Sequence, residues 1–164
     1  MTYRCSVDSP VGRLYLAAND VALTELLFED HRSEVDGTRL TIPPPTRMNA
    51  VLELVSEQLA EYFAGTRTEF EIPTQPNGTE FQLAVWRELQ KISFGQTISY
   101  IELARRMGDE KKTRAVGLAN GKNPISIIIP CHRVIGANGH LVGYGGGIEN
   151  KRWLIDFEAT DQLF

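Results

Sequence analysis

The feature that most restricts the fold of this chain is a five-residue segment, residues 130–134 (PCHRV), which follows an apolar run at residues 125–129 (ISIII). Pro130 has no amide hydrogen to donate, and its ring biases the preceding residue towards an extended conformation. The apolar run therefore predicts a buried strand that ends at Pro130 and presents Cys131 at its mouth, beside His132. Functional side chains are commonly presented at such element boundaries.

A cysteine beside a histidine is the arrangement of an activated thiol, because the thiolate is the nucleophile and a cysteine near neutral pH is mostly protonated. Most cysteines are instead small buried apolar side chains without chemistry, and exposure and pKa decide between the two. The second cysteine, Cys5, is distant from Cys131 in sequence. Two such cysteines could form a disulfide, but they favour a reducing, cytoplasmic setting.

The chain of 164 residues is 42% hydrophobic and 23% charged, which is typical of an ordinary soluble globular protein with one or two small domains. No apolar run approaches the roughly 20 residues that cross a bilayer, and the first residues lack the apolar core of a signal peptide. The three histidines, His31, His132 and His140, show no metal-ligand spacing with the cysteines. The sequence therefore predicts neither a zinc site nor a cofactor.

Charge divides the chain into two halves. Residues 1–78 carry six arginines, no lysine and twelve carboxylates, a formal charge of −6, whereas residues 79–164 carry eleven basic and nine acidic residues, a charge of +2. The best linker candidate, residues 74–78 (TQPNG), coincides with this change. The pattern predicts two domains, the second of which meets a polyanion, although such a difference usually reflects solvated faces alone.

In the acidic half, residues 3–29 predict β-strands, and residues 30–47 are polar and proline-rich and predict a surface loop. Apolar residues spaced for one helical face predict a helix over residues 49–63, and residues 70–72 predict a further short strand. The second half predicts five more elements: a helix from Thr79 to Ile92, a short helix at 100–107 closed by Gly108, a helix at 112–122, a β-hairpin at 134–142 centred on Asn138 and Gly139, and a last helix at 150–158.

Two short helices joined by a tight glycine turn form a helix-turn-helix pattern, whose second helix usually docks on DNA, although a plain helical hairpin has the same pattern. The second of these helices carries small residues at Ala115, Gly117 and Ala119. A glycine inside a helix costs about 1 kcal/mol relative to alanine. Close approach of another surface would account for that cost. This surface could be the sugar-phosphate backbone of a nucleic acid or the domain's own core, and the sequence does not decide between them.

With these elements in order, residues 94–158 resemble the O6-alkylguanine-DNA alkyltransferases, proteins that repair DNA by direct reversal. Residues 130–134 look like the active-site signature of that family. Further groups fall at the family's spacing from the cysteine; they are Thr113-Arg114-Ala115-Val116-Gly117, Asn123-Pro124, Ser99-Tyr100, Gly143-Tyr144 and Glu158. The resemblance is weaker over residues 1–78, where the length and the strand-then-helix order agree.

The resemblance implies an α+β fold, in which a ribonuclease-H-like α/β domain over residues 1–78 precedes a winged-helix-like domain over residues 79–164. The second domain would bind DNA through the helix-turn-helix and carry Cys131. Residues 118–121 (LANG) resemble the recognition helix of the bacterial subtype. Position 126 is serine where some relatives carry proline, which leaves the acceptance of bulky O6 substituents open.

By the same resemblance, Cys131 attacks the alkyl carbon of O6-alkylguanine, or of O4-alkylthymine, and keeps the alkyl group as a thioether. His132 would act as the base through a water molecule, and Glu158 would orient the imidazole, as a carboxylate does in a triad. Tyr100 would donate a proton or a hydrogen bond to the departing guanine, and Asn123 would brace the turn that bears the thiol. Because a thioether is stable, we expect one reaction per protein molecule.

The target carbon lies inside a stacked duplex, so the base must be flipped out, at a cost of a few kcal/mol. The resemblance implies that Arg114 fills the resulting gap, although a surface arginine more often contacts phosphate. The implied partner is double-stranded DNA containing O6-alkylguanine, bound in its minor groove by a monomer, and cooperative binding is left open. The implied DNA contacts are Thr113, Arg114, Ala115, Gly117, Ala119 and Asn120, and the implied base pocket is walled by Val134, Tyr144, Gly145 and Gly146.

Three other functions share some of these features. A relative that senses alkylated bases without reacting would replace the cysteine at position 131. A Cys–His hydrolase would turn over and would need an oxyanion site. A helix-turn-helix regulator would read bases with polar side chains, for which Ala115, Val116, Gly117 and Leu118 are poorly suited.

Overall fold

The computed structural model describes residues 1–32, 38–141 and 144–161, and the side chains of residues 160 and 161 are not described. Within these ranges the strands are β1 (Tyr3–Val7), β2 (Leu14–Ala18), β3 (Leu23–Phe28), β4 (Ile98–Ser99) and β5 (Val134–Ile135). The helices are α1 (Ala50–Phe63), α2 (Glu80–Leu89), α3 (Tyr100–Arg106), α4 (Thr113–Gly121) and α5 (Ile148–Asp161), with short 3₁₀ turns at Glu110–Lys112, Cys131–Arg133 and Ala137–Gly139.

The first half is an antiparallel sheet covered by one helix. Strands β1, β2 and β3 pair in that order, with Cys5 opposite Leu16 and Leu16 opposite Leu26. Leu14, Leu16 and Leu26 are buried in the core, as expected for apolar residues on the covered face of a sheet. The strands predicted within residues 3–29 are confirmed.

Helix α1 packs against the sheet through one apolar face. Asn49 caps its first turn, because the Asn49 side chain accepts a hydrogen bond from the Leu52 amide at 3.0 Å. The helix ends before Gly65, whose φ of 82° lies in the left-handed region that glycine tolerates. The helix predicted over residues 49–63 is therefore confirmed, and Tyr62 joins its buried face.

The second half is built from helices α2 to α4. A capping box between Thr79 and Gln82 begins α2, and the Trp86 indole on its buried face donates to the Ala119 carbonyl in α4 at 2.8 Å. Helix α3 ends at a turn in which Gly108 has a φ of 99°. The order of α3, a tight turn and α4 is the predicted helix-turn-helix.

The strand predicted over residues 125–129 is wrong. Ile125 makes a single parallel bridge with Leu26, and residues 126–128 then form a turn in which Ile127 has a φ of 72°. This left-handed conformation costs a β-branched residue about 1–2 kcal/mol. Ile127 is only 1% exposed, so burial of its side chain offsets that cost.

Two further predicted strands also differ. Residues 70–72 form no strand, because the Gln58 side chain satisfies both the Glu71 amide, at 2.8 Å, and the Glu71 carbonyl, at 3.2 Å. Of the hairpin predicted over residues 134–142, the turn at Asn138 and Gly139 forms, with φ angles of 64° and 78°. However, β5 pairs in parallel with β4 instead of with a following strand, and Val142 and Gly143 lie outside the described residues.

Backbone hydrogen bonds join the two halves beside the site. The Leu26 amide in β3 donates to the Pro124 carbonyl at 2.9 Å, and the Ser126 amide donates to the Leu26 carbonyl at 3.1 Å. One continuous apolar core includes residues of both halves, so the sheet fixes the turn that leads to Cys131. The domain boundary between residues 78 and 79 stays a prediction.

In the described part of the chain, no helix is both long enough and apolar enough to span a membrane. Neither Cys5 nor Cys131 forms a disulfide.

Candidate active site

The turn before Cys131 is held by one buried asparagine. The Asn123 side chain accepts from the Ile125 amide at 3.0 Å and donates to the Ile129 carbonyl at 2.8 Å and to the Ile125 carbonyl at 3.3 Å. The Cys131 amide donates to the Ile129 carbonyl at 2.8 Å. These bonds replace the ladder that a strand would have provided, because a buried backbone needs partners for its polar groups.

Cys131 begins a 3₁₀ turn and is 5% exposed, in a small depression that Asn120, Tyr144 and His31 also line. In the described chain, four buried side-chain polar atoms have no hydrogen-bond partner. Three of them belong to residues beside the cysteine: Asn120 Oδ1, His132 Nδ1 and the Tyr144 hydroxyl. Because such atoms are costly to leave unpaired, their concentration here shows that the surroundings of the cysteine are polar, with hydrogen-bonding capacity that the described protein atoms do not use.

His132 is fully buried, and its Nε2 lies 2.8 Å from Glu158 Oε2 in α5. An ionised carboxylate only accepts hydrogen bonds, so Nε2 carries the hydrogen and Nδ1 has the lone pair. The ring therefore has one nitrogen fixed by the carboxylate and the other available to accept a proton. A ring held in this way has the chemistry of a general base.

Glu158 is buried and has three further partners. Arg133 donates from Nε to Oε1 at 2.8 Å and from Nη2 to Oε2 at 3.0 Å, a bidentate contact. The Tyr62 hydroxyl of α1 donates to Oε2 at 2.6 Å, and the Gly95 amide lies 3.5 Å from Oε1. Arg133 also donates to the Ile92 carbonyl at 2.7 Å, so its charge is fixed in place.

These contacts set the protonation states of the pair. Burial alone would raise the pKa of Glu158, but the adjacent His132 and Arg133 hold that pKa well below its ordinary value. Burial lowers the pKa of His132, and Glu158 opposes this effect, while Arg133 and Lys151 add to it. The site thus holds an ionised carboxylate against a neutral imidazole, which is the form able to accept the thiol proton.

Lys151 of α5 is fully buried. Its Nζ lies 3.5 Å from the Tyr100 hydroxyl, 5.8 Å from the centre of the Tyr100 ring and 5.9 Å from that of Tyr144. The two rings stabilise the buried cation through cation–π contact. The structure thereby brings Tyr100, which begins α3 at the Ser99 cap, to the same side of the site as Tyr144.

Burial raises the pKa of Tyr144 well above its ordinary value, and the neighbouring Cys131 raises it further. The Tyr144 hydroxyl lies near Ser126 and Cys131 without the geometry of a hydrogen bond. It therefore stays protonated as a donor beside the thiol.

The predicted pocket residues meet the first half of the chain. The Arg32 amide donates to the Gly145 carbonyl at 2.8 Å. A methyl group on Gly145 would lie 2.3 Å from His31 Nε2, and one on Gly146 would lie 2.3 Å from the Phe28 ring. Glycine at both positions therefore permits the loop to lie against the end of β3. Val134, the remaining predicted pocket residue, is buried in β5 opposite Ile98.

The residues predicted on the recognition helix fall into two groups. Arg114, Ala115 and Leu118 are exposed, and Thr113 and Gly117 are half-buried. Ala119 and Asn120 are buried, and Asn120 donates from Nδ2 to the Cys131 carbonyl at 3.4 Å. The exposed group forms the outer surface of α4, whereas Asn120 faces the cysteine.

Sequence reasoning assigned no role to Tyr62, Arg133, Lys151 or His31. Arg133 lies inside the signature segment at residues 130–134, so its position in the sequence could have indicated a role in the site. The sequence gives no such indication for Lys151 or Tyr62, because a lysine in a C-terminal helix and a tyrosine on a helical face are common in proteins without a functional role. Among the residues that the structure describes, no group of three or more His, Cys, Asp or Glu side chains is placed to hold a metal ion.

Two family models match the chain. Residues 2–76 match the ribonuclease-like domain of 6-O-methylguanine DNA methyltransferase, and residues 80–160 match the DNA-binding domain of the same family. A methylated-DNA–protein-cysteine methyltransferase of Mycolicibacterium paratuberculosis is 50% identical over 153 residues, 93% of this chain and 90% of that protein. One of the same description from Methanosarcina acetivorans is 40% identical, covering 96% of this chain and 99% of its own length.

Solved structures agree with these sequence matches. The crystal structure of the Mycobacterium tuberculosis O6-methylguanine methyltransferase superposes with a TM-score of 0.84 at 44% identity, over 98% of this chain and 94% of that chain. A crystal structure of Mycobacterium tuberculosis OGT in complex with DNA gives a TM-score of 0.82 at 46% identity, over 95% of this chain and 92% of that chain.

Proposed function

Because this chain belongs to the 6-O-methylguanine DNA methyltransferase family, we propose that Cys131 is the residue that receives the alkyl group. The protein repairs DNA by direct transfer of an alkyl group to one of its own cysteines, and DNA is its partner. The observation that carries the assignment is the buried pair formed by His132, the residue next to Cys131, and Glu158, whose Oε2 lies 2.8 Å from His132 Nε2. The other cysteine, Cys5, lies in β1, and burial raises its pKa. The raised pKa keeps the Cys5 thiol protonated and unreactive.

The chemistry follows from the contacts of His132. Its neutral imidazole accepts the Cys131 proton at Nδ1, through a bridging water, and Glu158 stabilises the imidazolium that forms. The thiolate sulfur then attacks the alkyl carbon in line, the bond from that carbon to guanine O6 breaks, and its electron pair remains on the guanine. A proton supplied to the ring restores guanine, and the alkyl group stays on sulfur as a thioether.

Tyr100 is the proposed donor to the departing guanine. Its hydroxyl lies 3.5 Å from Nζ of the buried Lys151, so a positive charge lies beside the proposed donor. Tyr144 lies on the same side of the site and is kept protonated by burial. We therefore assign to these two tyrosines the stabilisation of charge on the leaving base, and to Asn123 the support of the turn.

The exposed face of α4 is the proposed contact surface for DNA. We propose that Arg114 enters the stack where the flipped base was, and that Thr113, Ala115 and Gly117 approach the minor groove. Ala119 and Asn120 are buried behind this face, so we propose that they support the DNA-binding helix from within the protein. The pocket for the flipped O6-alkylguanine lies between Cys131, Val134 and the loop at residues 144–146.

We further propose that the protein acts as a monomer in the cytoplasm, without a cofactor, and reacts once. A reducing compartment keeps the acceptor thiol available. No residue in the site offers a route from a thioether back to a thiol, so each molecule accepts one alkyl group.

The test is the mass of the intact protein after incubation with a duplex that contains one O6-methylguanine. We expect a gain of one CH₂ unit, mapped to Cys131, in the wild type and in Cys5→Ser, and no gain in Cys131→Ser. Tight lesion binding without a mass change would indicate a non-reactive sensor instead. Repeated dealkylation with recovery of the thiol would exclude the single-turnover mechanism.

A further inference from the structure

The side chain of Tyr62 reaches the Glu158 carboxylate from the first half of the chain. The Tyr62 hydroxyl lies 2.6 Å from Oε2, the same oxygen that lies 2.8 Å from His132 Nε2. Both the tyrosine and the carboxylate are about 1% exposed. A hydrogen bond from a hydroxyl to an ionised acceptor in a buried setting is among the strong ones in proteins.

The Tyr62 ring is held in one orientation by its surroundings. It contacts Phe63, Phe70, Phe94 and Phe157, with ring centres 5.0 to 6.0 Å away. The hydroxyl therefore cannot leave the carboxylate by a simple rotamer change. A tyrosine used for packing alone has no need of a hydroxyl here, because a buried phenol requires a partner that phenylalanine does not.

We propose that Tyr62 is a positioning residue for alkyl transfer, whose hydroxyl fixes the Glu158 carboxylate against His132 and weakens its attraction for the imidazole proton. This inference rests on the function proposed above for Cys131, His132 and Glu158. It gives the first half of the chain a part in the chemistry, because the terminal turn of α1 completes the environment of the base.

The direction of the effect follows from the charges around the pair. The carboxylate of Glu158 attracts the proton of an imidazolium at His132, and each hydrogen bond that the carboxylate accepts reduces this attraction. The titratable and charged groups that act on the pair are Arg133 from the 3₁₀ turn, Lys151 from α5 and Tyr62 from α1. Loss of the Tyr62 hydroxyl alone leaves the other charges in place and makes His132 more basic.

Tyr62→Phe tests the proposal, since it removes the hydroxyl and keeps the ring. We expect the acid limb of the pH profile for single-turnover transfer from O6-methylguanine DNA to move upward by about half a pH unit to one unit. The titration of the His132 imidazole, followed by NMR in the protein without DNA, should move in the same direction by a similar amount.

Tyr3→Phe is the matched control, because the Tyr3 hydroxyl also donates to a carboxylate, Asp20 Oδ1 at 2.9 Å, but at the surface of the first half. It should leave both midpoints unchanged. If Tyr62→Phe lowers the melting temperature or the rate at every pH but moves neither midpoint, Tyr62 is structural only and the proposal is wrong. If the wild type accepts no alkyl group, the proposed function fails instead, while the NMR titration still decides the role of Tyr62.

Discussion

At the residue scale, the site depends on a buried carboxylate whose hydrogen-bond capacity is filled. Glu158 accepts from His132, Arg133 and Tyr62. Bringing a charge into the interior is costly unless it is paired and hydrogen-bonded. Each of these bonds therefore both stabilises the charge and fixes the direction in which the imidazole points.

We predict that Glu158→Gln slows single-turnover alkyl transfer by about 100-fold, because the amide cannot stabilise an imidazolium at His132. The same change leaves Arg133 buried without an anion, which should lower the free energy of unfolding by about 3 kcal/mol. Rates are measured on the folded fraction, with lesion binding as the control. A rate within threefold of the wild type would contradict the assignment of Glu158.

His31 gives a prediction about stability and pH. Burial lowers its pKa from 6.5 to about 4, so the unfolded chain binds a proton in this interval and the folded chain does not. Stability is therefore full above pH 6.5 and falls as the pH decreases towards 4. The loss that His31 contributes amounts to about 3 kcal/mol at most, and the lowered pKa of His132 acts in the same direction.

Replacement of His31 by Gln should flatten the dependence of unfolding free energy on pH between 6.5 and 5, as measured by urea denaturation. Glu158 does not interfere, because its stabilising contribution is present above its ordinary pKa of 4.5 and is lost only below that value. His140 is exposed, so His140→Gln should keep the wild-type slope. An unchanged slope in His31→Gln would show that His31 is not buried in its neutral form.

At the element scale, the structure bears on why α4 has a glycine in its interior, at Gly117. A methyl group on Gly117 would lie 3.6 Å from the Tyr100 ring, an ordinary van der Waals contact. Packing within the protein therefore does not require glycine here. Close approach of DNA to α4, the other explanation for this glycine, therefore stays a prediction.

We predict that Gly117→Ala raises the free energy of unfolding by up to about 1 kcal/mol, because alanine favours helix. The same variant should bind duplex DNA more weakly, as measured by fluorescence anisotropy. Gly146→Ala is the contrasting variant, since its added methyl would collide with the buried Phe28 ring and should destabilise the protein by about 1–3 kcal/mol. Undiminished DNA binding by Gly117→Ala would argue against close approach.

The helices could be predicted from the sequence, and much of the turn chemistry could not. Caps at Asn49 and Thr79 and the periodic apolar residues identified α1 and α2 because these signals are local. Residues 125–129 were misassigned as a strand because their backbone is satisfied by the Asn123 side chain and by Leu26, which is far away in sequence. Periodicity cannot separate such a buried turn from a buried strand.

In the site, too, residues in sequence motifs could be predicted, whereas residues that matter through contacts across the fold could not. The signature segment and its spacing led to Cys131, His132 and Glu158, and the structure brings the last two together at 2.8 Å. Tyr62 and Lys151 escaped prediction because their importance arises only from contacts across the fold, which single-sequence patterns do not contain. The roles of all these residues stay predictions until they are tested.

At the scale of the whole molecule, the two halves form one structure around the cysteine. Strand β3 bonds the turn at residues 124–126, Arg32 in the segment after β3 bonds the loop at Gly145, and α1 reaches Glu158. A perturbation at Cys131 should therefore affect the stability of the whole chain and not of one domain alone.

Alkylation of Cys131 is such a perturbation. Cys131 is 5% exposed, and the adjacent depression is lined by Asn120 and Tyr144, whose Oδ1 and hydroxyl oxygen respectively have no hydrogen-bond partner. Because this depression is small, we expect an added methyl group to crowd the residues that line it, and the methyl brings no hydrogen bond to these atoms. Overpacking of this kind costs about 1–3 kcal/mol, which corresponds to a decrease of about 2–10 °C in melting temperature for a chain of this size.

We therefore predict that the methylated protein melts several degrees below the unreacted form in a single transition, as measured by calorimetry after reaction with O6-methylguanine DNA and removal of the duplex. Cys131→Ser treated in the same way should melt at an unchanged temperature, because it cannot react. Equal melting temperatures for the methylated and unreacted wild type would mean that the site accommodates the thioether without strain. Two separate transitions, with only one shifted, would mean that the contacts of β3 and α1 with the site do not couple the halves.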